Sequence, residues 1–362
     1  MRTDVTCEER YVGTEADIAS IADALQEKRR TPLTPENALA HLRRVKGDPD
    51  LPVIRPCLLS AFVERRDIDG FDYAFFETAV EIAAAFVRTR LPGFASLRWQ
   101  SYLVADAVES SGLGGFHGRC GVGFQYESNF GFSELLNRAW VPDSRIRALE
   151  LARNYVHDSI HAATFRSFGW FDGAPFRYQY GINFRLPNGL SYSGTQQNPD
   201  LRFVINLNTL MDGVVASITA EAMRCIDAEV SVVDGISRSV VEDIRGESAR
   251  AENVAMRAFA DAVIVPTTDF LSYWGGETCR DAIGRAMISG VLSPLRNYIE
   301  ARCAEKADDR ALSGFIAARR RDCAFLGRDL WEDLFLSTDF HRGLIIDDAL
   351  HPLARDSGIV WQ

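Results

Sequence analysis

The sequence predicts a mainly α, multi-helical protein with one small β-hairpin insertion at about residues 176–206, and three observations carry that expectation. Apolar residues recur at i, i+3, i+4 and i+7 along most of the chain, the signature of helices with one buried face. These stretches open on helix-start residues, among them Thr14 and the Thr34–Pro35 pair. Only "FRYQYGINFRLPNGLSYSG" alternates apolar and polar residues around a turn signal, Pro187–Asn188–Gly189.

Taken in order, "TEADIASIADALQEKRR" carries the stripe Ile18, Ile21, Ala22 and Leu25, behind Thr14 as N-cap. "TPENALAHLRRV" predicts a second helix that ends at the solvated Arg43–Arg44 pair. "DYAFFETAVEIAAAFVRTRL" is longer and more apolar, suits a central position, and stops before Pro92–Gly93. The segment "SSGLGGFHGRCGVGFQYESNFGF" packs seven glycines and four phenylalanines into 23 residues, so an irregular loop or a short glycine-rich strand pair is expected. Its glycine spacing misses the dinucleotide fingerprint GxGxxG.

Pro142 then begins a helix carrying "NYVHDSIHAATF" and running to about Phe168. After the hairpin, Phe203 to Ile205 is expected to add a strand, and "GVVASITAEAMRCIDAEV" a long helix ending near Asp234–Gly235. From about Glu247 to Leu336 the pattern is helical again, broken at Pro266, Gly275–Gly276 and Pro294, before the irregular tail "DDALHPLARDSGIVWQ". The organisation is either one continuous domain or two lobes, residues 1–110 and residues 111–362, the second carrying the histidine helix and the hairpin.

Composition narrows the function classes. The 362 residues are 47% hydrophobic and 25% charged, ordinary for a globular chain. No run of eighteen apolar residues occurs, which argues against a membrane span, and the N-terminus lacks an apolar signal region. Seven scattered cysteines without a CxxC pair fit reduced thiols in a cytoplasm. A net charge of −10 argues against nucleic acid as the main partner. Lysine occurs only at Lys28, Lys46 and Lys306, an arginine bias that fits a GC-rich bacterial genome.

The chemistry concentrates at His157 and His161. On a helix these lie about 40° apart on one face, one turn along, so two imidazoles reach a single divalent ion, most commonly zinc. Asp158 sits at about 100° from His157, beside the pair, where a carboxylate can accept a proton from an ion-activated water.

His157-Asp158-Ser159-Ile160-His161 thus resembles the HExxH motif of zincin metallopeptidases. The resemblance covers this helix and one more, and aspartate in place of glutamate sets the base one methylene farther from the water. It implies zinc at His157 and His161, Asp158 as general base or acid and, as in the gluzincin branch, a glutamate ligand from a later helix. Glu221 is the preferred third ligand; Glu229 is its rival on the same helix.

Other readings stay open beside it. Arg147, Glu150, Arg153, Asn154, His157, Asp158, His161 and Thr164 form a polar arc that any solvated helix face would show, although "HAATF" grows apolar toward the helix end. Asp158 and His161 also make a DxxH pair like the ExxH of di-iron proteins, with Glu242, Asp243, Glu247 and Glu252 as the remaining stock of carboxylates. His117 with Cys120, and His341 with His351 among nearby aspartates, are weaker ligand candidates. Arg177, Arg185 and Arg202 in the hairpin region offer an anion clamp or ordinary exposed charges.

The expectation is therefore a metal-dependent hydrolase or lyase acting on a small or peptide-like substrate, in a role such as tailoring an amino-acid-derived or antibiotic intermediate in a bacterium. The alternatives are a metal-free or di-iron tailoring enzyme using the same stripe, with iron as the other metal, and a non-catalytic binding or scaffold subunit of a hetero-complex. Homo- or hetero-oligomers are compatible with each.

Overall fold

The computed structural model describes residues 9–30, 57–58, 73–94, 102–105, 115–117, 123–126, 152–153, 155–157, 159–161, 163–184, 202–234 and 263–317. Within these the protein is mainly α, as the periodicity predicts.

The first strand β1 (Glu9–Tyr11) leads into α1 (Glu15–Arg30). Thr14 caps that helix reciprocally: its Oγ1 accepts the Asp17 backbone N–H at 3.2 Å, and Asp17 Oδ2 accepts the Thr14 N–H at 3.0 Å. Helix α2 (Tyr73–Arg90) buries Phe76, Ala79, Val80, Ala83 and Val87, the stripe expected of a central helix. Helix α3 is described at residues 152–153, 155–157, 159–161 and 163 and buries Ala152, Tyr155, Val156, Ile160 and Ala163. The long α4 (Leu207–Asp234) carries Leu210, Met211, Val214, Val215, Ile218 and Ala222 into the same core. Helices α5 (Val265–Trp274), α6 (Glu277–Ser289), α7 (Ser293–Glu305) and α8 (residues 310–317) complete the helical part. Pro266 and Pro294 fall at the first turns of α5 and α7, so each proline starts a helix rather than interrupting one.

One continuous apolar core joins α2, α3, α4 and the C-terminal helices, with Trp274 fully buried in it. Its indole Nε1 donates to the Phe203 carbonyl at 3.0 Å. No helix among the described residues is long and apolar enough to cross a membrane.

The β content exceeds the single hairpin expected. β2 (Cys57–Leu58), β3 (Tyr102–Ala105), β4 (Gly115–His117) and β5 (Gly123–Tyr126) form one four-stranded sheet in the order β2-β3-β5-β4. β4 and β5 pair antiparallel, so this part of the glycine-rich segment is a strand pair. The second sheet runs β1-β6-β7-β8, from β6 (Arg166–Phe171), β7 (Ala174–Tyr180) and β8 (Asn183–Phe184). Only its β1–β6 pair is parallel.

Three expectations are corrected here. The histidine helix ends at residue 163 rather than near Phe168, because "RSFGWF" is already strand β6. Its hairpin to β7 turns at Asp172–Gly173, with φ of 48° and 74°, the two positive values of a type I′ turn. The predicted Pro187–Asn188–Gly189 turn lies outside the described residues. Phe203 to Ile205 form no strand: the Phe203 carbonyl is taken by Trp274, and Asn206 starts a helix instead. The Thr34 helix, the Pro142 helix start and the C-terminal tail also lie outside the described residues.

Asn206 is the N-cap of α4, its Oδ1 accepting the backbone N–H groups of Asn208 at 2.9 Å and Thr209 at 3.3 Å. Asn206→Ala should cost about 1 kcal/mol of unfolding free energy, read by urea titration. An unchanged midpoint would show that the cap contributes nothing.

Burial pushes the Cys279 thiol up to about 12, the nearby Arg302 charge only partly opposing it. A group that holds its proton longer in the folded state lends stability that is lost as pH rises from its ordinary value of 9.0 toward 12. Native Cys279 should therefore resist iodoacetamide at pH 8.5 and react only on unfolding; peptide mapping that finds it labelled as fast as Cys225 would contradict this.

Candidate metal centre

Two helices build the site. Helix α3 is held against α2 by its apolar face, where the Tyr155 ring meets Phe76 edge-on at 6.2 Å. That anchoring leaves His157 and His161 on the side toward α4, with ring centroids 4.8 Å apart. Asp212 stands in the second turn of α4, six residues beyond the Asn206 cap. Both imidazoles converge on one of its oxygens: His157 Nε2 lies 3.1 Å and His161 Nε2 2.9 Å from Asp212 Oδ1.

Tight packing sets the position of Asp212. At the next residue, Gly213, a Cβ would lie 2.0 Å from Thr267 Oγ1 of α5, so only glycine lets the two helices approach this closely. His161 is covered on its other side by Tyr180 of β7, whose ring stacks on it at 6.4 Å and whose hydroxyl donates to the His161 carbonyl at 3.1 Å.

The solvated-arc expectation does not describe this face. His161 is 8% exposed and Thr164 fully buried, while His157 and Asp212 are partly open. The helix plunges inward at "HAATF", and Phe165 is buried against Gly290.

Electrostatics follow from the contacts. Burial works to raise the Asp212 carboxyl, but the hydrogen bonds and charge of the two histidines outweigh it and hold the group well below the usual carboxylate range. An ionised carboxylate only accepts, so in the direct contact each Nε2 carries a proton and donates. The same three atoms become ligands when the imidazole protons move to Nδ1.

The donor set fits a divalent ion. Two imidazole nitrogens and a carboxylate oxygen within 4.8 Å of one another are the three protein ligands of many open zinc sites. Around a tetrahedral zinc with bonds of ~2.1 Å, neighbouring ligand atoms sit about 3.4 Å apart. The histidine–aspartate distances of 3.1 and 2.9 Å need to open by a few tenths of an ångström, and the widest separation in the group, 4.8 Å, needs to close.

Glu221, the preferred third ligand from sequence, stands elsewhere. It bonds the buried guanidinium of Arg280, and its other oxygen lies 3.5 Å from Arg90 Nη2. Nine residues separate it from Asp212, which on a helix is two and a half turns, so the two carboxylates point to opposite sides of α4. Only Asp212 faces α3; Glu221 faces α2 and α6. The partner that answers the burial of Glu221 is arginine, not metal.

The side chains of Asp158 and Glu229 lie outside the described residues, as do Cys120, Arg185, His341, His351 and the carboxylates Glu242, Asp243, Glu247 and Glu252 needed by a di-iron centre. His117 is placed at the end of β4, in the sheet β2-β3-β5-β4. Of the proposed anion clamp, Arg177 is half-buried with its guanidinium 4.3 Å above the Tyr180 ring, and Arg202 is exposed.

Asp212 is the residue that sequence reasoning missed. The signal for it is that Asp212 is the sole charged residue between Leu207 and Ala220, a carboxylate inside an otherwise uncharged helix run. Burying such a group needs a cationic or metal partner.

Comparisons of the chain with protein-family models, with curated proteins and with solved structures find no match.

Proposed function

We propose that the protein binds one divalent metal ion through His157, His161 and Asp212 and uses it as a hydrolase or lyase on a small or peptide-like substrate. The observation that supports this is the convergence of both Nε2 atoms on one carboxylate oxygen. A bound zinc would supply Lewis-acid polarisation and activation of water.

The chain's own residues supply the rest. Tyr180 fixes the orientation of the His161 backbone and covers its ring, which excludes water from one side. The depressed Asp212 carboxyl stays anionic through the physiological range and balances the charge of a cation. Asp158, next to His157 in the sequence, is the proposed proton acceptor, in the role the zincin motif gives its glutamate. The Asp212 ligand on α4 departs from the gluzincin pattern, in which the later helix supplies glutamate.

Iron is the alternative metal, because two histidines and one carboxylate also form the facial triad of non-haem iron sites. A metal-free reading has its own support in the direct His–Asp–His hydrogen bonds, which could orient an acid–base pair.

Elemental analysis of the untagged protein decides among them. About one zinc per chain, lost in His157→Ala, is the expected result. Iron in its place would move the chemistry from hydrolysis to oxidation. Neither metal, with His157→Ala folding normally, would overturn the metal reading and leave the acid–base pair.

A further inference from the structure

The sheet beside the histidines contains an arginine that the metal centre does not use. Arg166 opens β6, is 2% exposed, and is among the largest fully buried side chains of the described residues. Its Nε and Nη2 are both buried and have no hydrogen-bond partner among the described residues. Those two atoms form one edge of the guanidinium, the fork that receives both oxygens of a carboxylate or phosphoryl group. A charge is costly to bury unless it is paired, and here the donors best suited to an oxyanion are the ones left over.

The surroundings are built for the same ligand. Arg166 pairs across the sheet with Tyr180, and Tyr180 pairs with Asn183, so the three side chains share a row and a face across β6, β7 and β8. Asn183 is 1% exposed, and neither its amide nitrogen nor its amide oxygen has a hydrogen-bond partner among the described residues. Arg177 adds a second guanidinium over Tyr180 at 4.3 Å, with that of Arg166 at 6.0 Å from the same ring. The nearest acidic neighbour in register is Glu9 of β1; its Oε2 accepts the Tyr11 hydroxyl at 3.3 Å and does not bond Arg166 Nε or Nη2.

Tyr180 links this row to the metal ligands, since it stacks on His161. We infer that Arg166, supported by Asn183 and Arg177, is an oxyanion-binding subsite that takes a carboxylate or phosphoryl group, and that the substrate of the neighbouring centre is an acid held by that group. The second half of this statement rests on the metal reading; the binding of an oxyanion does not.

Thermal unfolding of the full chain tests it, with sodium phosphate and sodium acetate as probes and sodium chloride at matched ionic strength as reference. Phosphate, acetate or both should raise the wild-type midpoint above the chloride reference, and which of them acts identifies the group. Arg166→Met, similar in length and uncharged, should start from a higher midpoint in chloride and lose the anion response. If that variant does not fold, Arg166→Lys keeps the charge without the fork and should need at least tenfold more anion for the same shift. No anion-specific shift in the wild type, or an equal shift in the Arg166 variant, would overturn the inference. Zinc measured on the same samples separates the two proposals: zinc without an anion response sinks the subsite alone, and an anion response without metal sinks the metal centre alone.

Discussion

Asp212→Ala is expected to purify without the metal proposed for the wild-type chain, and Glu221→Ala to keep it. Asp212 Oδ1 is the point where both histidine nitrogens meet, so its loss removes one of the three proposed ligands and the negative charge that would balance a cation. Loss of an outer-shell partner alone weakens metal sites ~10–100-fold, and loss of a direct ligand should exceed that. Competition titration against a chromogenic chelator reads the difference. Retention of metal by Asp212→Ala, or its loss from Glu221→Ala with the fold intact, would return the third-ligand role to the later glutamate.

Glu221→Ala should instead be among the most destabilising single changes in the protein. Arg280 is 4% exposed at its side chain and bonds both Glu221 and the neighbouring Asp281, with Arg90 of α2 closing the cluster. Burial works against the Arg280 charge, and the two carboxylates more than offset it. Removing one partner of a buried pair typically costs about 3–5 kcal/mol, because the other charge is left without compensation. Asp281 remains as a second carboxylate, which should place the loss toward the lower end of that range. Urea unfolding of Glu221→Ala beside Arg280→Met reads it, and the arginine variant should be the milder of the two because it removes the buried charge itself. A Glu221→Ala midpoint equal to wild type would show that the cluster is as weak as an exposed ion pair.

These two carboxylates also show where sequence reasoning succeeds and where it stops. The stripe in α1, the apolar face of α2 and the one-turn spacing of His157 and His161 all depend on neighbours three or four residues apart, and local periodicity carries that information. The proline and glycine breaks around α5, α6 and α7 are local for the same reason. The start of β6 is not legible in the sequence because "HAATFRSF" continues an apolar pattern that suits either state. The Asp172–Gly173 turn that decides it comes only at the far end of the strand.

What the sequence by itself determined is a mainly α chain with two histidines on one face of a helix, because a helix places its own residues by geometry alone. Which carboxylate meets them is a long-range question. Asp212 and Glu221 ride the same helix on opposite sides, and the rotation of α4 is set by its packing against α2, by the close approach of α5 at Gly213, and by Arg280 holding Glu221. Those contacts join residues more than fifty positions apart, so only the tertiary structure turns Asp212 toward the histidines and leaves the fork of Arg166 buried beside them.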